Sequence, residues 1–268
     1  MNPSTLGTAV ITGASTGIGA LYAERLAARG HDLVLVARNG ARLIDLAARL
    51  QAETGRTVRA ISADLTDKAD LARIETLLRE DSSITMLVNN AGFGGTAPLL
   101  DSSVDKMEEM ITLNVTALTR LTYAAVPGFV ARGAGAIVNI ASIVAIAPEV
   151  LNGVYGASKA FVLALSQSLR HELQGKGVRV QAVLPGATAT DFWNVAGMPV
   201  EHLPDGFVMR ADDMVDAALT GLDQGEFVTI PGLEDGAKYE AFEALRVAMQ
   251  GELSTSTPAS RYRTAKAA

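Results

Sequence analysis

The chain has no cysteine, which excludes disulfides, thiolate nucleophiles and zinc–thiolate centres and fits a reducing compartment; a cytoplasmic location is expected. Its three histidines, His31, His171 and His202, are scattered without metal-ligand spacing, so no metal site is expected. Basic residues are outnumbered, 23 Lys and Arg against 29 Asp and Glu, for a net charge of −6. Such a surface offers no general positive field to a phosphate backbone, and nucleic acid is not an expected partner. Long apolar runs are missing too. The uncharged stretch from Ala134 to Pro148 falls short of the ~20 residues that span a bilayer. The first basic residue, Arg25, comes too late for the charged start of a secretory leader, and no membrane partner is expected. The acidic group Asp101, Asp105, Glu108 and Glu109 reads as a solvated helix start, and nothing else supports paired-carboxylate catalysis.

What is present is a regular alternation. Short runs rich in Val, Ile and Leu read as strands at Thr8–Thr12, Asp32–Ala37, Thr57–Ala63, Thr85–Asn89, Ala136–Ala141, Val178–Leu184 and Phe227–Ile230. Between them, apolar residues at helical spacing mark Gly17–Arg29, Ala41–Glu53, Asp67–Glu80, Asp105–Ala131, Gly153–Gln174 and Ala211–Gln224. Leu33, Val34, Leu35 and Val36 do not alternate with polar residues, as in a parallel sheet covered on both faces. The pattern predicts an α/β fold, a doubly wound parallel sheet of about seven strands flanked by helices. No internal segment has linker composition, so residues 1–251 read as one domain and 252–268 as a polar tail.

Two motifs carry chemistry. The first strand runs into Thr12-Gly13-Ala14-Ser15-Thr16-Gly17-Ile18-Gly19 and then directly into a helix. Glycines there let the backbone turn tightly and approach a pyrophosphate, which would face the positive helix N-terminus. The second motif is Tyr155-Gly-Ala-Ser-Lys159, preceded by Ser142 at the end of a strand. Tyr and Lys four apart share a helix face, and an ammonium beside a phenol is expected to pull its pKa down from about 10. Tyr155 is then a candidate general acid and base at a substrate oxygen, with Ser142 hydrogen-bonded to the same oxygen.

Together with Asn89-Asn90-Ala91-Gly92, Asn114 and Pro185-Gly186, these motifs stand in the order and spacing of the short-chain dehydrogenase/reductase family, which the chain resembles from Thr5 to about Ile230. The resemblance implies a single-domain Rossmann fold, a nicotinamide cofactor, and hydride transfer between it and a carbonyl or alcohol. It further implies that Lys159 binds the nicotinamide ribose and that Asn114 holds a water linking Lys159 to solvent. Asp64 with Leu65 would meet the adenine edge, unless Asp64 caps the helix beginning near Asp67. Asn90, Ala91 and Gly92 would lie along the cofactor ribose, while Asn89 would tie neighbouring strands together. Pro185, Gly186, Thr188 and Thr190 resemble the segment that closes over the nicotinamide.

Arg38 ends the second strand, about 20 residues beyond the glycine turn, where an NAD-preferring protein offers a carboxylate to the ribose hydroxyls. Its planar, permanently charged fork suits a 2′-phosphate, so NADP(H) is the expected cofactor, with Ser15 assisting. Thr16 stands where some NADP-binding relatives carry a basic residue. Residues 188–210 correspond to the substrate lid of relatives. Phe192 and Trp193, with Val195, Met198, Pro199, Leu203, Phe207 and Met209, make it apolar, suited to an apolar substrate portion, to the core, or to a subunit contact. Phe161, Leu165 and Leu169 are expected to face the core, and relatives imply a homodimer or homotetramer. The expected activity is reduction of a small-molecule carbonyl or oxidation of its alcohol. Reduction of 3-oxoacyl groups on acyl carrier protein and catalytically silent dinucleotide sensing are the alternatives.

Overall fold

A computed structural model describes residues 4–197, 203–204 and 206–263, with Asn194 and Val195 described by their backbone alone. Met198, Pro199, His202 and the Val195 side chain, all named above, lie outside what is described.

Apolar runs become strands and amphipathic runs become helices in strict alternation: β1 (Thr8–Thr12), α1 (Gly17–Ala28), β2 (Asp32–Ala37), α2 (Gly40–Thr54), β3 (Val58–Ser62), α3 (Lys68–Glu80) and β4 (Ile84–Asn89). The second half runs α4 (Val104–Ile111), α5 (Leu118–Arg132), β5 (Gly135–Ile140), α6 (Gly153–Glu172), β6 (Val178–Val183), β7 (Thr188–Ala189), α7 (Phe192–Ala196), β8 (Met209–Arg210), α8 (Ala211–Gln224), β9 (Val228–Thr229) and α9 (Ala237–Ala248). Seven strands form one sheet in the order β3-β2-β1-β4-β5-β6-β9, every pairing parallel. β7 and β8 pair separately.

Both faces of the sheet are buried at its central strands, while the edge strand β3 exposes Arg59, Ala60 and Ser62. Tyr22, Leu26, Leu43, Leu50 and Leu219 from α1, α2 and α8 bury one face with Ile11, Leu33 and Leu35. Ile74, Leu121, Phe129 and Leu169 from α3, α5 and α6 bury the other with Val10, Val34 and Leu87. Strand order reverses between β1 and β4, and the crevice outside the carboxyl ends at such a reversal is where α/β sheets place their ligands. No described helix is long and apolar enough to cross a membrane.

The stretch expected as one helix over 105–131 is helical throughout, but its hydrogen-bond ladder changes midway. Thr112–Ala117 is a π-helical turn between α4 and α5, a widened ladder that the apolar periodicity does not reveal. Leu165 and Leu169 join the core, but Phe161 is 40% exposed, against expectation. Steps of four residues advance 400° around a helix, so Phe161 has drifted by about 80° from Leu169. Packing divides the chain into two compact units, one ending at Gly232 and one starting at Leu233. In the second, α9 has no buried residue and is braced by the Arg246–Glu243 ion pair at 2.8 Å. The expected 251/252 boundary falls inside this second unit.

Candidate active site

The glycine turn connects β1 to α1 and is fastened from below by β4. The Thr12 hydroxyl accepts from the backbone N–H groups of Asn90 and Ala91, each at 3.0 Å. Asn90 Nδ2 donates to the carbonyls of Thr12 at 2.9 Å and Gly13 at 3.2 Å. A Cβ on Gly13 would stand 2.7 Å from Asn90 Nδ2, and one on Gly19 would stand 2.6 Å from the same atom. Glycine at both places lets the amide hold the turn closed. Thr16 precedes α1 in extended conformation and gives no side-chain cap, so the first backbone N–H groups of α1 remain available to an anion.

A cavity of about 380 Å³ opens above these carboxyl ends. Gly13, Ser15, Thr16, Gly17 and Ile18 line it, with Arg38, Asp64, Leu65, Asn90, Ala91, Gly92, Tyr155, Lys159, Pro185, Gly186, Thr188, Thr190, Phe192 and Trp193. Gly19, Asn114 and Ser142 do not line it but touch residues that do: Gly19 packs on Gly13 and Asn90, Asn114 on Gly92, and the Ser142 hydroxyl donates to the Pro185 carbonyl at 3.4 Å. Arg38 is exposed and makes no ion pair among the described residues. Asp64 does not cap α3, because Asp67 does so by accepting from Ala69 and Asp70 N–H, both at 2.9 Å. Instead Asp64 Oδ1 accepts from the Thr66 N–H at 2.9 Å and hydroxyl at 2.7 Å. Burial opposes its ionisation, but those bonds and the Arg38 charge hold the Asp64 carboxyl below its usual range.

Asn89 bridges strands, its Nδ2 donating to Asn139 Oδ1 at 2.9 Å and to the Thr122 hydroxyl at 3.1 Å. Asn114 lies within the π turn and is buried. Its Oδ1 accepts from Phe93 N–H at 3.1 Å, and its Nδ2 donates to the Phe93 carbonyl at 2.9 Å and the Ser158 hydroxyl at 3.1 Å. The amide therefore fastens the strand-end loop to α6.

Tyr155 and Lys159 sit in the first turns of α6, both buried. Asn152 starts this helix by accepting from the N–H of Val154 at 2.9 Å and Tyr155 at 3.3 Å. Burial pushes the Tyr155 phenol up to about 12, and its hydrogen bond with Ser142 offsets this only in part. Burial pulls Lys159 down to about 8. The expected lowering of Tyr155 by the Lys159 ammonium is thus corrected: Lys159 Nζ donates to the Ile140 carbonyl at 2.9 Å and stands 5.8 Å from the Tyr155 ring centroid. Desolvation is the largest influence on both groups.

The cavity is covered by α7. Phe192 lies 5.7 Å from the Tyr155 ring and 5.6 Å from Trp193, centroid to centroid. The Trp193 indole donates to the Thr188 carbonyl at 2.9 Å. Of the other lid residues, Phe207 is exposed and Met209 packs on the core.

Sequence reasoning did not single out four neighbours. Asn39 lines the cavity and caps α2 by accepting from Arg42 N–H at 3.1 Å; Asn before a helical run is an N-cap signal. Asn152 carries the same signal before Gly153. Thr66 and Phe93 also line the cavity, and neither stands in a pattern that periodicity resolves.

Residues 7–198 match the family described as short chain dehydrogenase. Among solved structures, a short-chain dehydrogenase from Sphingobium yanoikuyae in complex with NADPH is 52% identical, with a TM-score of 0.93, over 96% of this chain and all of that one (100%). The bulky-bulky ketone specific alcohol dehydrogenase from Comamonas testosteroni is 47% identical, with a TM-score of 0.88, over 96% of this chain and 98% of that one. Serine 3-dehydrogenase of Agrobacterium fabrum is 32% identical over 248 residues, 90% of this chain and 98% of the relative. With a seven-stranded parallel sheet and a covered cavity at its switch point, the chain belongs to the short-chain dehydrogenase/reductase family of oxidoreductases, which act on CH–OH and C=O groups.

Proposed function

We propose that the chain is an NADP(H)-dependent carbonyl reductase and secondary-alcohol dehydrogenase whose substrates carry apolar groups on both sides of the reacting carbon. The observation that carries this reading is the pairing of Tyr155 and Lys159 at one wall of the cavity whose other end is the glycine turn, with Ser142 beside Tyr155.

The residues fit a nicotinamide dinucleotide. Gly13, Gly17, Ile18, Gly19 and the uncapped start of α1 would hold the pyrophosphate, and Arg38 with Ser15 and Thr16 the 2′-phosphate. Asp64 and Leu65 would border the adenine. Asn90, Ala91 and Gly92 would lie along the ribose, which Tyr155 and Lys159 would also hold. Pro185, Gly186, Thr188 and Thr190 would border the carboxamide. When bound, this cofactor supplies or accepts the hydride.

The protein's task is the proton and the developing charge. Tyr155 remains a phenol across the neutral range because burial holds it up to about 12, so it is ready to donate to a carbonyl oxygen as negative charge grows there. Ser142 hydrogen-bonds the same oxygen and preorganises it. Lys159, held down to about 8, exchanges its proton near neutrality and restores that of Tyr155. Asn114 fixes the loop and α6 around this route and holds the water that leads to solvent.

Phe192, Trp193 and Phe93 give the cavity an apolar aromatic cover, which suits an apolar substrate and leaves little to attract a charged one. The specificity stated for the Comamonas neighbour supports this choice, as the NADPH of the Sphingobium neighbour supports the cofactor. The enzyme works as a homodimer or homotetramer in the cytoplasm; exposed Leu99, Leu100 and Val104 and the lack of cysteine support these points. Purified enzyme tested on aryl alkyl ketones, aldehydes, amino acids and 3-oxoacyl thioesters, with NADPH and NADH, tests the reading. NADPH-linked turnover of apolar ketones is expected; turnover confined to polar substrates, or a strong NADH preference, contradicts it.

A further inference from the structure

The loop that follows Asn90-Ala91-Gly92 is fastened at three points. Asn114 grips both backbone groups of Phe93. The Gly95 carbonyl accepts from the Asn152 N–H at 3.4 Å. Thr96 donates its hydroxyl at 2.8 Å and its N–H at 3.3 Å to the Ala196 carbonyl at the end of α7. Gly94 lies inside this fastened stretch, so its backbone has little freedom to yield.

Gly94 faces the aromatic cover. A Cβ built on it would stand 2.9 Å from Phe192 Cε2, closer still to Phe192 Cζ, and 3.3 Å from Tyr155 Cε2. Real Cβ atoms are not found that close to a neighbour, so any side chain at 94 must drive the Phe192 ring away. The ring is the movable partner, because the loop is pinned while Phe192 swings about its own torsions. Phe192 also meets the Trp193 ring edge-on, at 86° between planes, so its position is coupled to the indole.

We propose that Gly94 is a specificity-determining residue: by lacking a side chain it admits the Phe192 ring beside Tyr155, and that ring forms the wall limiting the smaller of the two groups flanking the substrate carbonyl. The ring packs 5.7 Å, centroid to centroid, from the group that protonates the substrate oxygen, so moving it changes the room left at the reacting carbon. A single methylene against an apolar wall is worth about 10-fold or more in relative catalytic efficiency, and that sets the expected scale. The inference rests on the carbonyl-reductase reading and specifies which residues shape its substrate range.

A double-mutant cycle tests it, with Gly94→Ala, Phe192→Ala and their combination. The kinetic readout is the ratio of kcat/KM for phenyl propyl ketone to that for acetophenone, with NADPH. Phe192→Ala should raise the ratio about 10-fold or more, and Gly94→Ala should change it by a similar factor. Adding Gly94→Ala to Phe192→Ala should change it by less than about 2-fold, since the ring through which Gly94 acts is gone. The second readout needs no turnover. The chain has one tryptophan, so emission and iodide quenching report Trp193 alone, and Gly94→Ala should shift them only when Phe192 is present. If Gly94→Ala fails to fold, an unchanged ketone ratio in Phe192→Ala by itself contradicts the proposal. Equal effects of Gly94→Ala in both backgrounds overturn the Gly94 inference and leave the carbonyl-reductase reading standing. Wild-type protein inactive on every ketone, with Trp193 still responding to Gly94→Ala only through Phe192, overturns the carbonyl-reductase reading and leaves the pairing of Gly94 with Phe192.

Discussion

Lys159 Nζ donates to the Ile140 carbonyl oxygen at 2.9 Å and stands 5.8 Å from the centre of the Tyr155 ring. The lysine is thus anchored to the end of β5, the strand that leads into Ser142, and not to the phenol oxygen. Its burial makes the charged form costly, which defines how stability should depend on pH. Between about 8, the folded value, and 10.5, the ordinary value, the unfolded chain still binds the Lys159 proton while the folded chain has released it. Stability therefore rises with pH across that window. Urea unfolding of the wild type and of Lys159→Met from pH 7 to 9.5 checks this. The wild type should gain on the variant as pH rises above about 8, and a constant difference would rule out a depressed lysine.

Arg38 lines the cavity and is exposed. Its expected partner is a phosphate on the 2′ position, bound by charge-assisted hydrogen bonds of about 1.5–3 kcal/mol. Arg38→Ala should raise KM for NADPH by roughly 10- to 100-fold while leaving KM for NADH within about 2-fold. Steady-state kinetics with both cofactors separates the two, and equal losses with NADPH and NADH would argue that Arg38 serves the fold.

Asn152 is a positioning residue with two tasks. Its Oδ1 caps the helix that carries Tyr155, and its Nδ2 donates to the Ala97 carbonyl at 2.7 Å and the Ser102 hydroxyl at 3.1 Å. Asn152→Asp keeps the cap but loses both donors; Asn152→Ala loses everything, for about 1 kcal/mol from the cap alone. Thermal unfolding should place Asn152→Ala below Asn152→Asp. Both variants should raise KM for ketone several-fold more than KM for NADPH, because the released loop borders α7 and not the glycine turn. Matching increases in both constants would reduce Asn152 to a general stabiliser.

Much of this was legible in the sequence because it is local or periodic. The glycine turn announces itself by a strand before it and a helix after it, and Tyr155 and Lys159 by their spacing on one helix. Unbroken runs such as Leu33 to Val36 report a sheet buried on both faces, and seven parallel strands follow. What was not legible depends on distances between segments far apart in the chain. The π turn around Asn114 leaves the apolar stripe intact, so periodicity passes over it. The raised pKa of Tyr155 follows from its burial, whereas spacing alone speaks only of attraction to Lys159. The approach of Gly94 to Phe192, and the hold of Thr96 on Ala196, arise where α7 folds back over the cavity, and no local pattern encodes that.

The role proposed for Tyr155 is to carry the proton between the protein and the substrate oxygen. Tyr155→Phe removes one hydroxyl and keeps the ring that packs on Phe192, so the substitution isolates chemistry from packing. Stopped-flow or steady-state ketone reduction, run beside NADPH titration and circular dichroism, is the direct measurement. The expected result is an unchanged fold, NADPH affinity within a few-fold of wild type, and turnover lowered by about 10²- to 10⁴-fold, the usual worth of a general acid. Turnover by Tyr155→Phe within about 2-fold of the wild type would contradict it, since a general acid is worth far more than that.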